Sequence, residues 1–247
     1  MPAGSGDSWP HDYERGRPGW PPAAIDVLHL PRSATVLDLG AGTGKLTRDL
    51  LDAFDSVIAV EPADAMRRVL SNLFPGCDAR AGDARALPVA DASVDAIFAA
   101  QSFHWFNDLE SLAEIARVLR PGGVLELLWN VPAEPWKPST ETVEARLRDV
   151  MPDQEVSYDP LDLGHPRGDW SRNFGRAGFE PYEHTTAPNP QTLDRDGLVA
   201  YYASMGWLAD LPDDQRLALL AEVRSLLTSS EYEREWTTHV YWTHLHR

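Results

Sequence analysis

The chain has 247 residues, enough to bury one sizeable core without requiring a second domain. Its 43% hydrophobic and 24% charged content is that of an ordinary globular protein, and a formal net charge of −16 argues against a nucleic-acid partner, whose phosphates need Lys and Arg. The single cysteine, Cys77, excludes an intramolecular disulfide and a CxxC pair, and no apolar run approaches the ~18 residues of a membrane span or reads as a signal peptide, so a cytoplasmic chain without a membrane partner is expected.

Residues 1–22 are rich in Gly, Pro and aromatics without periodicity and read as an irregular arm or lid. The main domain is then 23–247. Helices are expected over 23–30, 45–53, 63–74 and 108–119, the last with apolar residues at 109, 112, 115, 116 and 119. Between them fall short β-branched or apolar runs: one ending at Leu39, SVIAV at 56–60, a third closing at 81–84 with Cys77 at its start, VDAIFA at 94–99, and a fifth at 123–129. Alternating strands and helices predict a doubly wound, mostly parallel α/β sheet, with ligands above the carboxyl ends of its strands. Residues 131–169 are too long and proline-rich for a plain connection and read as an inserted helical cap. A helix is expected at 138–150, then strand six at 180–186, helices at 195–205 and 213–227, and an antiparallel seventh strand at 235–246.

The most informative stretch is VLDLGAGTGKLT at 36–47. Gly40, Gly42 and Gly44 remove the Cβ atoms that would hold the backbone away from a ligand, and they permit positive φ in a strand-to-helix turn. A dinucleotide fingerprint would place its third glycine at position 45, which is Lys45. Asp38 precedes the loop by two residues. Glu61 ends the second strand, where a carboxylate accepts ribose hydroxyls, a test that a nicotinamide enzyme also passes.

This GxGxG with its leading acid, followed in order by Glu61, by Gly82-Asp83-Ala84 with Leu87-Pro88, and by Arg120-Pro-Gly-Gly-Val-Leu125, resembles class I S-adenosylmethionine-dependent methyltransferases. The segment Tyr13-Glu-Arg-Gly-Arg17-Pro18-Gly-Trp20-Pro21, with Trp20 where tyrosine is frequent, and Gln101-Ser-Phe-His104-Trp105-Phe106 resemble the small-molecule, trans-aconitate methyltransferase-like group. The resemblance implies S-adenosyl-L-methionine as cofactor. Asp38 and the glycines would hold its methionine end, Glu61 the ribose, and Asp83 with the Ala84 backbone the adenine; Met66 covers the adenine or is a core residue, and Gln101 stands at the crevice. It also implies a small-molecule acceptor, with O-methylation slightly ahead of N- or C-methylation.

His104 is the best-placed histidine for a general base; the competing reading makes His104, Trp105 and Phe106 a pocket wall. Tyr13, Arg17, Trp20 and Trp105 are acceptor-site candidates, although Arg17 could equally hold the cofactor carboxylate or a surface ion pair. Histidines 239, 244 and 246 alternate without a metal-ligand spacing, and no metal is expected. Two rivals remain at this point: a nicotinamide-dependent oxidoreductase, and a cofactor-binding scaffold without transfer activity.

Overall fold

The computed structural model describes residues 9–132, 140–150, 171–209 and 211–246. Its strands are β1 (Thr35–Leu39), β2 (Ser56–Val60), β3 (Asp78–Arg80), β4 (Val94–Ala100), β5 (Leu119–Pro132), β6 (Glu183–Asp194) and β7 (Glu231–His244). They form one sheet in the order β3-β2-β1-β4-β5-β7-β6, parallel through β5 and antiparallel at its last strands. Helices α1 (Trp9–Gly16), α2 (Pro22–Asp26), α3 (Lys45–Ala53), α4 (Asp64–Leu73), α5 (Leu109–Val118), α6 (Glu141–Arg148), α7 (Ser171–Arg176), α8 (Arg195–Ala203), α9 (Gly206–Ala209) and α10 (Asp213–Leu226), with a 3-10 turn at Phe103–Trp105, complete the described elements. The doubly wound α/β expectation therefore holds. No helix among the described residues is long and apolar enough to cross a membrane.

Two compact units divide the described residues. The sheet unit draws on Gly19–Asn130, Asp159–Ala187 and Thr238–Arg247, the helical unit on Met1–Pro18, Val131–Tyr158 and Pro188–Thr237. In the sheet unit, one face of the strands buries Val36, Ala96, Phe98, Val124, Leu128 and Val240 against Leu46, Leu50, Ala24 and Ile25 of α3 and α2. Ala96 and Phe98 lie two apart on β4, and Val124 and Leu128 four apart on β5, so each pair shares a face, because strand side chains alternate between faces. The helical unit has its own core, built from Leu147 of α6, Leu198, Tyr201 and Tyr202 of α8, Val223 of α10 and Trp236 of β7.

Several boundaries differ from expectation for physical reasons. Residues 9–16 are helical, not irregular: Asp12 in the first turn and Arg15 in the last complement the macrodipole, and the Trp9 and Tyr13 rings meet one turn apart at 5.7 Å. Gly16 lets this helix touch α8, since a Cβ there would land within the Tyr201 backbone. β3 stops at Arg80, and 81–84 turn away, with Asp83 bridging to Ala86. β6 runs on through Pro188 and Pro190, which an edge strand tolerates because one side of its ladder needs no N–H donors. The cap expected over 131–169 falls largely on 133–139 and 151–170, outside the described residues; α6 lies between those stretches.

Candidate functional site

The parallel strands end in step. Leu39 pairs with Val60, Val60 with Arg80, and Ala100 with Leu128, so Gly40, Glu61, the 81–84 turn and Gln101 all follow strand ends at one edge of the sheet. The order reverses between β1 and β4, the crevice where open α/β sheets bind ligands. Ser102 closes the floor there. Its Oγ donates to Leu39 O at 2.8 Å, and a Cβ at Gly40 would come within 2.7 Å of its own Cβ.

The glycines have distinct tasks. All three take positive φ, 71°, 59° and 95° for Gly40, Gly42 and Gly44. Gly44 caps α3, and a Cβ on it would meet Phe74 at 2.9 Å and Leu70 at 3.1 Å, so it serves packing. At Gly42 a Cβ would meet nothing within 4 Å; its missing side chain leaves open space above the loop.

Two carboxylates underlie the loop. Glu61, 1% exposed, clamps it by accepting from Gly42 N through Oε2 and from Ala63 N through Oε1, each at 2.8 Å. Burial raises its pKa against the pull of those two amides and Arg67. Asp38 is likewise buried. Its Oδ2 accepts from Thr47 Oγ1 at 2.6 Å, while Oδ1 has no partner among the described residues. Desolvation pushes its pKa up to about 7 despite the Thr47 hydrogen bond, with the Glu61 charge adding to the rise. An orphaned acceptor near the end of β1 and open space beside Gly42 in the loop that follows suit an ammonium-bearing nucleotide ligand. The residues present thus fit the expected cofactor.

The other predicted residues are distributed as follows. Asp83 is exposed, and its Oδ1 accepts from Arg85 N at 2.8 Å; Ala84 beside it is buried. Met66 lies on the buried stripe of α4 with Val69 and Leu70, the position of a core residue. Gln101 has φ 51° and donates from Nε2 to Asn130 O at 3.0 Å, a strained backbone of the sort found at ligand sites. His104 and Trp105 occupy an exposed 3-10 turn after β4, rings 4.8 Å apart, with Trp105 45% exposed. Trp20 packs on the α2–α3 side of the core and lines a cavity of about 250 Å³ with Ile25, Asp49 and Ala53. Tyr13 and Arg17 belong to the helical unit, where Arg17 donates from Nε to Ser204 Oγ at 2.7 Å. Cys77, half-buried just before β3, has its thiol pushed up to about 11 by burial.

Sequence reasoning missed the supports. Thr47 follows the last glycine by three residues, one turn into α3, which was the available signal for its bond to Asp38. Asn130, whose Nδ2 donates to Gly19 O at 3.1 Å and whose Oδ1 accepts from Thr238 at 2.5 Å, gave none.

Residues 37–127 match the family described as a methyltransferase domain. An uncharacterized methyltransferase of Mycobacterium tuberculosis is 38% identical over 217 residues, which cover 88% of this chain and 83% of its own. The malonyl-[acyl-carrier protein] O-methyltransferase of Methylococcus capsulatus is 45% identical over 106 residues, 40% of this chain and 38% of its own. A solved structure from Anaeromyxobacter dehalogenans, assigned as a type II methyltransferase, shares the fold with a TM-score of 0.63 at 23% identity, covering 93% of this chain and 97% of that one. Nothing in these similarities supports a nicotinamide enzyme. With its glycine loop, paired carboxylates and sheet order, the chain belongs to the class I S-adenosylmethionine-dependent methyltransferase family.

Proposed function

We propose that the chain transfers the methyl group of S-adenosyl-L-methionine to a small-molecule acceptor, with oxygen the favoured accepting atom. The observation that carries the reading is the loop at the β1–β4 switch, with open space beside Gly42 and an orphaned Asp38 Oδ1 on the strand that leads into it. The preference for oxygen draws on the similarity to an O-methyltransferase. When bound, the cofactor supplies a sulfonium methyl group that is already activated. The protein's part is then to orient and to exclude water, which can lower a barrier by roughly 7–11 kcal/mol.

In this reading Asp38 and the glycine loop hold the methionine end, and Glu61 holds the ribose through the lone pairs left over from its two backbone bonds. Asp83 and the Ala84 backbone hold the adenine. Gln101, fixed by Asn130, lines the crevice. His104 takes the proton of an acceptor hydroxyl, and Trp105 covers the acceptor. Met66 supports the site from the core. The test is a labelled-methyl transfer assay over a panel of small acids and phenols. His104→Ala is expected to lower turnover by about 10²–10⁴-fold with cofactor affinity nearly unchanged. Near-normal turnover would make His104 a wall, and cofactor binding without transfer to any acceptor would favour the scaffold reading.

A further inference from the structure

Side chains far apart in sequence converge in the helical unit around one tyrosine. The guanidinium carbon of Arg17 lies 5.1 Å from the Tyr201 ring centroid and that of Arg234 lies 4.2 Å from it. Arg17 is also 5.7 Å from the Tyr13 ring, and Arg234 is 5.2 Å from Trp236.

Their donors are only partly used. Arg17 spends Nε on Ser204 Oγ at 2.7 Å and Nη2 on Ser204 O at 3.1 Å, leaving Nη1, and forms no ion pair among the described residues. Arg234, its side chain only 10% exposed, has five N–H donors, yet its one hydrogen bond among the described residues runs from Nη2 to the Tyr201 hydroxyl at 3.5 Å. Its facing carboxylate oxygen, Glu144 Oε1, stands 3.9 Å away and already accepts from the Tyr202 hydroxyl at 2.5 Å. Burial pushes the Glu144 pKa up to about 7, which weakens its charge further.

Arg234 thus faces one poorly ionised carboxylate, and Arg17, beside the same Tyr201 ring, faces none among its hydrogen-bond and ring partners. Several other arginines in this acidic chain are matched, as Arg32 is by Asp55 at 2.8 Å, Arg80 by Asp78 at 2.6 Å and Arg117 by Glu114 at 2.7 Å. A withdrawn guanidinium with idle donors and aromatic walls is the chemistry of oxyanion recognition.

We propose that Arg234 and Arg17, with the Tyr201 and Tyr13 rings, form a binding site for the carboxylate or phosphate group of a small molecule. The site stands on its own geometry, within the helical unit, and does not rest on the function proposed above.

The test is calorimetric titration of the full chain with benzoate, phenyl phosphate and inorganic phosphate at constant ionic strength, each variant also being titrated with S-adenosylhomocysteine as a check on folding. Saturable binding of at least one anion is expected. It should weaken at least tenfold in Arg234→Gln and Arg17→Gln, and stay unchanged in Arg15→Gln, whose half-exposed side chain pairs with Asp194. Tighter binding of benzoate names a carboxylate, and tighter binding of the phosphates names a phosphoester. No saturable binding of any anion, or equal affinity in both Gln variants, overturns the site. If a Gln variant fails to fold, Arg234→Lys and Arg17→Lys decide: they keep charge without the fork, so weakened binding supports the site and wild-type affinity overturns it. Anion binding without S-adenosylhomocysteine binding would sink the proposed function and leave the site standing; the converse would remove the site alone.

Discussion

Asp38→Asn should make the ligand-free protein more stable at alkaline pH while weakening its grip on the cofactor. Burial raises the Asp38 pKa from 3.8 to about 7, so ionisation is what the folded state resists. The penalty is absent below the unfolded value, grows as pH rises through the interval, and is complete above the folded value, at about 4 kcal/mol. Between pH 5 and pH 8 the wild type loses about 2.5 kcal/mol through this group alone. Asparagine does not titrate, and its carbonyl can still accept from Thr47 Oγ1. Its amide nitrogen is left unpaired where Oδ1 was, at a cost of about 1–3 kcal/mol at every pH. Urea denaturation at pH 5 and pH 8 should therefore show the variant gaining about 2.5 kcal/mol on the wild type across that range. S-adenosylhomocysteine affinity should fall about tenfold or more through loss of the charge-assisted contact. A stability difference that stays constant with pH, or an alkaline loss in the variant, would refute the reasoning.

Gly42→Ala should cost about 1–2 kcal/mol of stability, from its φ of 59°, but abolish most cofactor affinity by filling the open cradle; Gly44→Ala, packed on Phe74, should lose more stability, as thermal unfolding beside ligand titration would show. Gly16→Ala should lower the melting temperature of the helical unit by driving α1 off α8, and a change of under one degree would contradict that packing. Glu126, fully buried on β5 with both oxygens unpartnered among the described residues, has its pKa raised well above the usual range by desolvation. Glu126→Met should stabilise by about 1–4 kcal/mol, more at pH 8 than at pH 5 because the penalty grows with ionisation; a loss of stability at pH 8 in urea would contradict it.

The parallel half of the sheet was legible because its signals are local. β1, β2 and β4 are apolar runs bounded by turn residues, and Gly40, Glu61 and Gln101 each occupy the residue that follows one of them, so finding the strand end located those three positions. Legibility failed where tertiary contact decides. Prolines at 188 and 190 hid the outer half of β6, and the Gly-Pro texture of 9–18 hid a helix held by close packing of Gly16 on Tyr201. The Trp20 side chain goes to the α2–α3 face of the core, which its place in an aromatic motif did not reveal. The Arg17–Tyr201–Arg234 cluster joins residues more than 180 positions apart along the chain, a distance no motif spans.

The most direct test of the central claim is a calorimetric titration of the purified chain with S-adenosylhomocysteine, run beside NADH and NADPH. Saturable binding of S-adenosylhomocysteine alone, weakened by Asp83→Ala, is the predicted result. No binding of it, or a preference for either nicotinamide, would contradict the account of the glycine loop and of every residue placed around it.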